Sequence, residues 1–294
     1  MYVDWEYYKI FYYVAKYQNF TKAARVLGNN QPNITHSMNR LESQLNCVLF
    51  IRSNRGVTLT PEGELLYSRI ASAAVQIQDA EEELSASATL EHGAISISAT
   101  ETALNIYLAE KLRAFHTDYP GIRLRISNHS TPQAIAALKE GTADIAVVTT
   151  PTAPSASLTE TAVRPIHEYA VCSPFFETLT NRQVKLEELL EFPLISLGAD
   201  TKSFEFYSGF FAAHGLPYHP DIEAFTADQI LPMVEADLGI GFVPEEFLEK
   251  WSNVCRIDLE EKIPERNVVI IKRKGQPLSV AAKELEKMIL AAEK

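Results

Sequence analysis

The chain has 294 residues, 46% of them apolar and 22% charged, about twice the length of a typical domain and apolar enough for a sizeable core. Its 15 prolines and 12 glycines are too few for a disordered or collagen-like chain, and no apolar run approaches the ~20 residues of a membrane span. The net charge of −11 argues against nucleic acid as a partner of the whole surface, but it is an average over unequal parts.

Residues 1–60 carry Lys9, Lys16, Lys22, Arg25, Arg40, Arg52 and Arg55 against Asp4, Glu6 and Glu42, a net of +4. Residues 61–91 carry Arg69 against Glu62, Glu64, Asp79, Glu81, Glu82, Glu83 and Glu91, a net of −6, which leaves −9 for the rest. A basic head on an acidic body can bring one end of a molecule to a polyanion. The opening MYVDWEYYKIF has acids and aromatics where a signal peptide has a basic start and an apolar stretch, so a cytoplasmic protein is expected.

Trp5, Tyr8, Phe11, Tyr12 and Ala15 recur at helical steps and predict a first helix. Thr21 is expected to cap a short second helix over Lys22–Leu27, ended by Gly28. Asn29-Asn30-Gln31-Pro32 opens a third helix, in which Ile34, Met38, Leu41 and Leu45 form one apolar stripe. Its other side presents Gln31, Asn33, Thr35, His36, Asn39 and Arg40. A merely solubilising face is rich in Glu and Lys; short amides, hydroxyls, a histidine and an arginine can instead hydrogen-bond base edges and phosphates. A short helix, a tight turn and a longer helix with this face match a helix-turn-helix. Val48–Arg52 and Val57–Thr60 are strand-like around Ser53-Asn54-Arg55-Gly56, so a hairpin wing is expected beside the third helix. The expected DNA contacts are Thr21, Lys22, Gln31, Pro32, Asn33, Thr35, His36 and Arg40, with Arg52 and Arg55 on the wing.

Thr60-Pro61-Glu62-Gly63 starts a fourth helix. Leu66, Ile70, Ala73, Ile77, Ala80 and Leu84 follow at alternating steps of four and three, a heptad stripe. So narrow a stripe needs a partner: the rest of this chain, or the same helix in a second chain, the latter favoured because a helix-turn-helix usually reads DNA as a dimer. Ser85–His92 reads as a polar hinge.

From Gly93 onward short strands alternate with helices. Strands are expected at Ala94–Ser98, Ile122–Ile126, Asp144–Val148, Ala170–Cys172, Leu194–Leu197, Ile222–Phe225, Gly239–Val243 and Asn267–Ile271. Helices are expected at Ile106–Phe115, Ala134–Leu138, Phe204–His214, Gln229–Ala236 and Ala281–Ala292. This alternation predicts parallel sheets covered by helices, in two lobes with a cleft. Ligands of such sheets sit beyond the C-terminal strand ends, near helix N-termini. Hydroxyl-bearing turns occupy those places, and the candidate effector contacts are Thr100, Thr102, Ser130, Thr131, Thr149, Thr201, Ser203 and Thr226. Each could equally be a plain helix cap; as a group they suit a cleft for a small polar or anionic metabolite. Lys202 either adds charge there or is a solvated lysine.

No catalytic constellation is found. The chain has no phosphate-binding G-x-x-x-x-G-K-[ST] loop and no G-x-S-x-G elbow. Gly239-Ile240-Gly241 is too short for a dinucleotide fingerprint and reads as close packing. His214 and His219 read as a surface turn, and His167 and Cys172 fall on opposite faces of a strand. Cys47, Cys172 and Cys255 have neither zinc nor disulfide spacing and are expected as buried free thiols. No enzyme, cofactor, metal or membrane contact is expected.

Five segments in order resemble the winged helix-turn-helix signature of LysR-type transcriptional regulators. They are Ala23-Ala24-Arg25-Val26-Leu27, Gln31-Pro32-Asn33-Ile34-Thr35, Leu41-Glu42, Leu49-Phe50-Ile51-Arg52 and Leu59-Thr60-Pro61-Glu62-Gly63. Looser likeness continues in Leu138-Lys139-Glu140-Gly141 before Asp144-Ile145-Ala146, and in Val234–Gly241 before Pro244. Thr35-His36 and Asn33 depart from the family's commoner residues, so operator preference does not transfer. The resemblance implies an α/β chain: a winged helix-turn-helix over 1–60, a dimerising linker helix and hinge over 61–91, and an effector domain over 92–294 that resembles periplasmic solute-binding proteins. Its first lobe would comprise 92–161 and 266–294 and its second 162–265, with crossover strands near Thr161–Arg164 and Pro264–Asn267. The implied partners are double-stranded promoter or operator DNA, a small-molecule effector between the lobes, and the chain itself as homodimer or homotetramer through Leu66, Ile70, Ala73, Ile77 and Leu84. The competing reading is a solute-binding protein without DNA function.

Overall fold

The computed structural model describes residues 3–53, 56–85, 90–153, 155–248 and 251–291, with only the backbone at 53, 56 and 78–85. Contacts divide the chain into two compact units, Met1–Glu81 and Glu82–Lys294.

The first unit opens with α1 (Trp5–Tyr17), capped by the Asp4 carboxylate, which accepts the Glu6 N–H at 3.0 Å. Its inward face is Ile10, Phe11, Val14 and Ala15, whereas Trp5 is 48% exposed. Of the expected line, Phe11 and Ala15 face the core, while Tyr8 and Tyr12 are half-buried at its rim. Helix α2 (Phe20–Val26) starts earlier than expected. Asn19, not Thr21, is its cap, with Oδ1 accepting the Lys22 N–H at 2.8 Å, because the earlier start sends Phe20 into the core. Gly28, at φ +61°, ends the helix as expected, and Asn29 N–H closes on Ala24 O at 2.9 Å.

Helix α3 (Gln31–Leu45) is capped by Asn30 and buries Ile34, Met38 and Leu41 completely. Each such side chain contributes roughly 1.5–3 kcal/mol. Strands β1 (Phe50–Ser53) and β2 (Gly56–Leu59) pair antiparallel, Phe50 with Leu59 and Arg52 with Val57. Glu42 fixes this wing to α3: its Oε1 accepts the N–H groups of Leu49 at 2.7 Å and Phe50 at 3.2 Å. The turn that holds Asn54 and Arg55 lies outside the described residues.

Helix α4 (Pro61–Ser85) starts at Thr60, whose Oγ1 accepts the Gly63 N–H at 3.0 Å. A Cβ on Gly63 would stand 2.2 Å from Leu49 O, so only glycine lets the helix lie against the wing. The heptad stripe divides. Ile70 belongs to the buried core of α1–α3, with Leu66 packed against that core, whereas Ile77 is 44% exposed. The first three turns thus find their partner within their own unit, packed against the α1–α3 bundle. The side chains of Ala80 and Leu84, and hinge residues 86–89, lie outside the described residues.

The second unit holds two sheets. The first has five strands: β3 (Gly93–Ala99), β4 (Ile122–Asn128), β5 (Ile145–Thr149), β6 (Leu158–Ile166) and β13 (Arg266–Arg273), in the order β4-β3-β5-β13-β6. Helices α6 (Ala109–Asp118) and α11 (Val280–Leu290) cover one face, and α7 (Thr131–Glu140) covers the other. Alternation along β5 places Ile145 and Val147 in one cluster and Ala146 and Val148 in the other. A short α5 (Glu101–Ala103) and a π-helical turn over Leu104–Leu108 precede α6, so the helix expected from Ile106 begins earlier and is locally widened.

The second sheet comprises β7 (Glu168–Cys172), β8 (Gln183–Val184), β11 (Gly241–Pro244) and β12 (Cys255–Leu259) in the order β11-β7-β12-β8. The parallel pair β9 (Ile195–Leu197) and β10 (Ile222–Ala224) is tied to it by the bridge of Leu194 with Ile240. Helix α8 (Lys202–Ala213), α9 (Ile230–Glu235) and the short α10 (Glu245–Leu248) complete this half. The expected parallel pairing holds for β3 with β4 and β5 and for β9 with β10, but β13 runs antiparallel to both β5 and β6, and β7 to both β11 and β12. The chain crosses between the sheets twice, after Ile166 and before Arg266, and a returning strand must oppose the one that left. Strand β6 stays in the first sheet as far as Ile166, beyond the expected boundary at 161. Cys172 and Cys255, distant in sequence, are direct cross-strand partners; Cys172 is buried, while Cys47 and Cys255 are only half-buried.

Candidate effector cleft and nucleic-acid interface

A cavity of about 560 Å³ opens where the two sheets face each other. All eight hydroxyl residues expected at strand ends line it: Thr100, Thr102, Ser130, Thr131, Thr149, Thr201, Ser203 and Thr226. They do not play equal parts. Thr201 is fully engaged as a cap, donating to Gly198 O at 2.8 Å and accepting the Phe204 N–H at 3.2 Å. Thr131 donates to Thr149 O at 3.3 Å. Thr100 accepts the Ala103 N–H at 3.3 Å and donates to no other group among the described residues. The π-helical turn follows directly on Thr100–Thr102, a distortion common beside functional sites.

Behind the cleft lies a buried ion pair that the sequence did not disclose. Arg266, the first residue of β13, is 3% exposed and Glu168, the first of β7, is 6% exposed. Arg266 Nη1 donates to Glu168 Oε1 at 2.8 Å and Nε to Thr150 O at 2.6 Å. Its Nη2 donates to Thr149 Oγ1 at 2.8 Å and to Ser203 Oγ at 3.1 Å. Tyr207 donates to Glu168 Oε2 at 2.7 Å. Burial, and then the Glu168 carboxylate beside it, push the Tyr207 phenol well above its ordinary range, so it remains a donor. The guanidinium also stacks 4.8 Å from the Phe206 ring. The network joins Thr149 of the first sheet to Glu168 and Ser203 of the second half.

The mouth is acidic. Glu101, Asp200 and Glu223 line the cavity with Lys202, and Lys202 is itself paired with Glu205. Glu101 accepts from Asn105 at 2.7 Å and from Asn128 at 2.8 Å. No group of three or more His, Cys, Asp or Glu fit to hold a metal occurs among the described residues.

In the first unit, Gln31, Pro32, Asn33, His36 and Arg40 are exposed on one side of α3, with Thr35 half-buried. Thr21 and Lys22 are exposed on the adjoining turn of α2. Thr21 Oγ1 donates to Gln31 Oε1 at 3.0 Å, which turns the Gln31 amide hydrogens outward as donors. Asn33 uses one donor on Asn29 at 3.1 Å, and Lys22 lies 4.7 Å over the Tyr17 ring. Arg52 stays exposed but is held against α3: Nη2 donates to Asn39 Oδ1 at 2.7 Å, and the guanidinium lies 4.8 Å over the Phe20 ring. It braces the wing against α3, a role its place in the hairpin did not signal. Arg55 lies outside the described residues.

Two family models match this chain in tandem. Residues 5–64 match the bacterial regulatory helix-turn-helix protein of the lysR family, and residues 88–294 match the LysR substrate binding domain. The chain belongs to the LysR family of transcriptional regulators. The transcriptional regulator YofA of Bacillus velezensis is 27% identical over 281 residues, 94% of each chain. The regulator CbbR of Rhodospirillum rubrum is 24% identical, over 97% of this chain and 95% of its own. Crystal structures of the LysR regulator CbnR share the fold. The free protein gives a TM-score of 0.75 at 19% identity, over 99% of this chain and 100% of that one, and the complex with its target DNA gives 0.76. This LysR-type regulator thus pairs a DNA-binding winged helix-turn-helix with a two-lobed, periplasmic-binding-protein-like effector domain. The helix-turn-helix match removes the alternative of a solute-binding protein without DNA function.

Proposed function

We propose that this regulator reads its operator through the outward side of α3 and senses a small polar metabolite in the cleft between its two sheets. The observation that carries the cleft reading is convergence: hydroxyls from five separate turns, scattered from Thr100 to Thr226, line one cavity. The α3 face supports the DNA reading, since Gln31, Asn33, Thr35, His36 and Arg40 offer donors and acceptors without a carboxylate among them. The exposed Ile77 on α4 supports pairing with a second copy, as a homodimer or homotetramer. The protein acts as a regulator and not as an enzyme, in the cytoplasm where its DNA partner lies.

Gel-shift titration of the full chain against its upstream DNA, at two salt concentrations and with metabolite fractions, tests this. Specific retention that weakens with salt, and a metabolite response abolished by Thr100→Val while basal binding persists, are expected. Loss of basal binding together with the response reduces Thr100 to a structural cap; an undiminished response places the effector elsewhere.

A further inference from the structure

We propose that the effector is a small amino-carboxylate zwitterion, its carboxylate on the floor of the cleft and its ammonium group at the mouth. This rests on the cleft being the effector site and concerns what that site selects.

The floor is built to donate. A hydroxyl oxygen that accepts from a guanidinium turns its own hydrogen away from it. Thr149 Oγ1 and Ser203 Oγ both accept from Arg266 Nη2, both residues line the cavity, and neither hydroxyl donates to another group among the described residues. Thr149 is 3% exposed, so its hydrogen has no bulk water to meet and the cavity is where an acceptor can reach it. The backbone N–H groups of Lys202 and Ser203, in the first turn of the 12-residue α8, likewise have no partner among the described residues. Glu168 neutralises Arg266. The floor therefore presents several donors held in place by an arginine that does not itself enter the cleft, and a carboxylate, which is acceptor only, matches it.

The mouth is built for the opposite charge. Glu223 Oε1 and Asp200 Oδ1 lie 2.9 and 3.0 Å from the point a Cβ would occupy on Gly198, so the two carboxylates converge on one spot. Neither has a cation or donor partner among the described residues, and Lys202 is held by Glu205. Phe225, 90% exposed, stands at the same rim and offers an aromatic face to a cation. Like charges brought together favour a cation between them. A plain carboxylate would meet repulsion at the mouth, and a plain amine would leave the floor donors unmet.

The test is calorimetric titration of the full chain with the protein amino acids and their ω-amino analogues, each beside its decarboxylated amine and its deaminated acid. At least one amino acid is expected to bind about tenfold or more tightly than either counterpart, the worth of one charged hydrogen bond. The double variant Asp200→Asn with Glu223→Gln, both exposed positions, is expected to reduce that affinity about tenfold and, by removing the repulsion at the mouth, to tighten binding of the deaminated acid. A deaminated acid that binds as tightly as its amino acid, with Thr149→Val abolishing both, overturns the zwitterion while the cleft reading stands. No binding by any amino acid overturns the zwitterion as well. Amino-acid binding that survives Thr149→Val overturns the cleft reading itself.

Discussion

The Arg266–Glu168 pair makes the sharpest energetic prediction. Its side chains are 3% and 1% exposed, so each charge depends on the other for compensation. Arg266→Met leaves the Glu168 carboxylate buried with the Tyr207 hydroxyl as its remaining side-chain donor. Glu168→Gln leaves a buried guanidinium whose other partners, Thr150 O and the hydroxyls of Thr149 and Ser203, are neutral. Each single change is expected to destabilise the effector domain by ~3–5 kcal/mol, the cost of one uncompensated buried charge. The double variant removes both charges and keeps an acceptor for Tyr207, so its cost is expected to fall well below the sum, with a coupling of at least ~2 kcal/mol where independent sites agree within ~0.5. The chain has two tryptophans, and Trp5→Phe leaves Trp251, packed against a cluster of the second unit, as the reporter of urea unfolding. Additive costs, or a single substitution worth less than ~1 kcal/mol, refute the argument, since that is the range of a solvent-screened pair.

Further outcomes follow from burial and charge. Ile70→Asp is expected to unfold the helix-turn-helix, whereas Ile77→Asp leaves its melting temperature unchanged and lowers the assembly state seen by analytical ultracentrifugation; equal effects would place both residues in one interface. Arg40→Ala is expected to weaken binding to all DNA sequences alike and to reduce the salt slope by about 0.9, while Gln31→Ala costs ~1–3 kcal/mol on the operator alone. Burial raises the Asp144 pKa above its ordinary value, although its Oδ2 accepts the Ser96 N–H at 2.8 Å. A carboxyl whose folded pKa is raised stabilises the fold at low pH and loses that contribution as pH rises through the raised pKa. Asp144→Asn is therefore expected to raise the melting temperature at pH 7 and to make no difference at a pH below both pKa values; a variant that melts lower at pH 7 refutes this.

Much of the fold was legible because local periodicity and core packing agreed. The stripe of Ile34, Met38 and Leu41 is both a sequence pattern and the floor of the helix-turn-helix core. The cleft hydroxyls were legible for a related reason: strand ends and helix starts are marked by residue type, and this fold gathers them on one side. Strand β12 (CRIDL) was missed because its alternation is masked by charges, and β6 (LTETAVRPI) was placed only in part, as a crossover strand near Thr161–Arg164 implied by the family resemblance, because an edge strand lacks a run of apolar residues. The Arg266–Glu168 pair was invisible for a different reason. A lone charged residue reads as solvated, and these two lie 98 positions apart. The one local hint is Arg266 standing two residues before the apolar run Val268–Ile271. Asn19 displaced Thr21 as a cap because both are good caps, and only the burial of Phe20 decides between them.

The two passages between the sheets are not independent. Arg266 stands opposite Ile166, and Asn267 opposite Pro165, in one antiparallel ladder. Two separated connections would let the halves twist, shear and slide; two that are hydrogen-bonded side by side behave like the knuckles of a single door hinge. Rotation about one line is then the soft coordinate, and the gap at the mouth is fixed by one angle. A receptor of this kind reports a ligand's length more faithfully than its shape, so a homologous series of effectors should evoke graded responses along one scale.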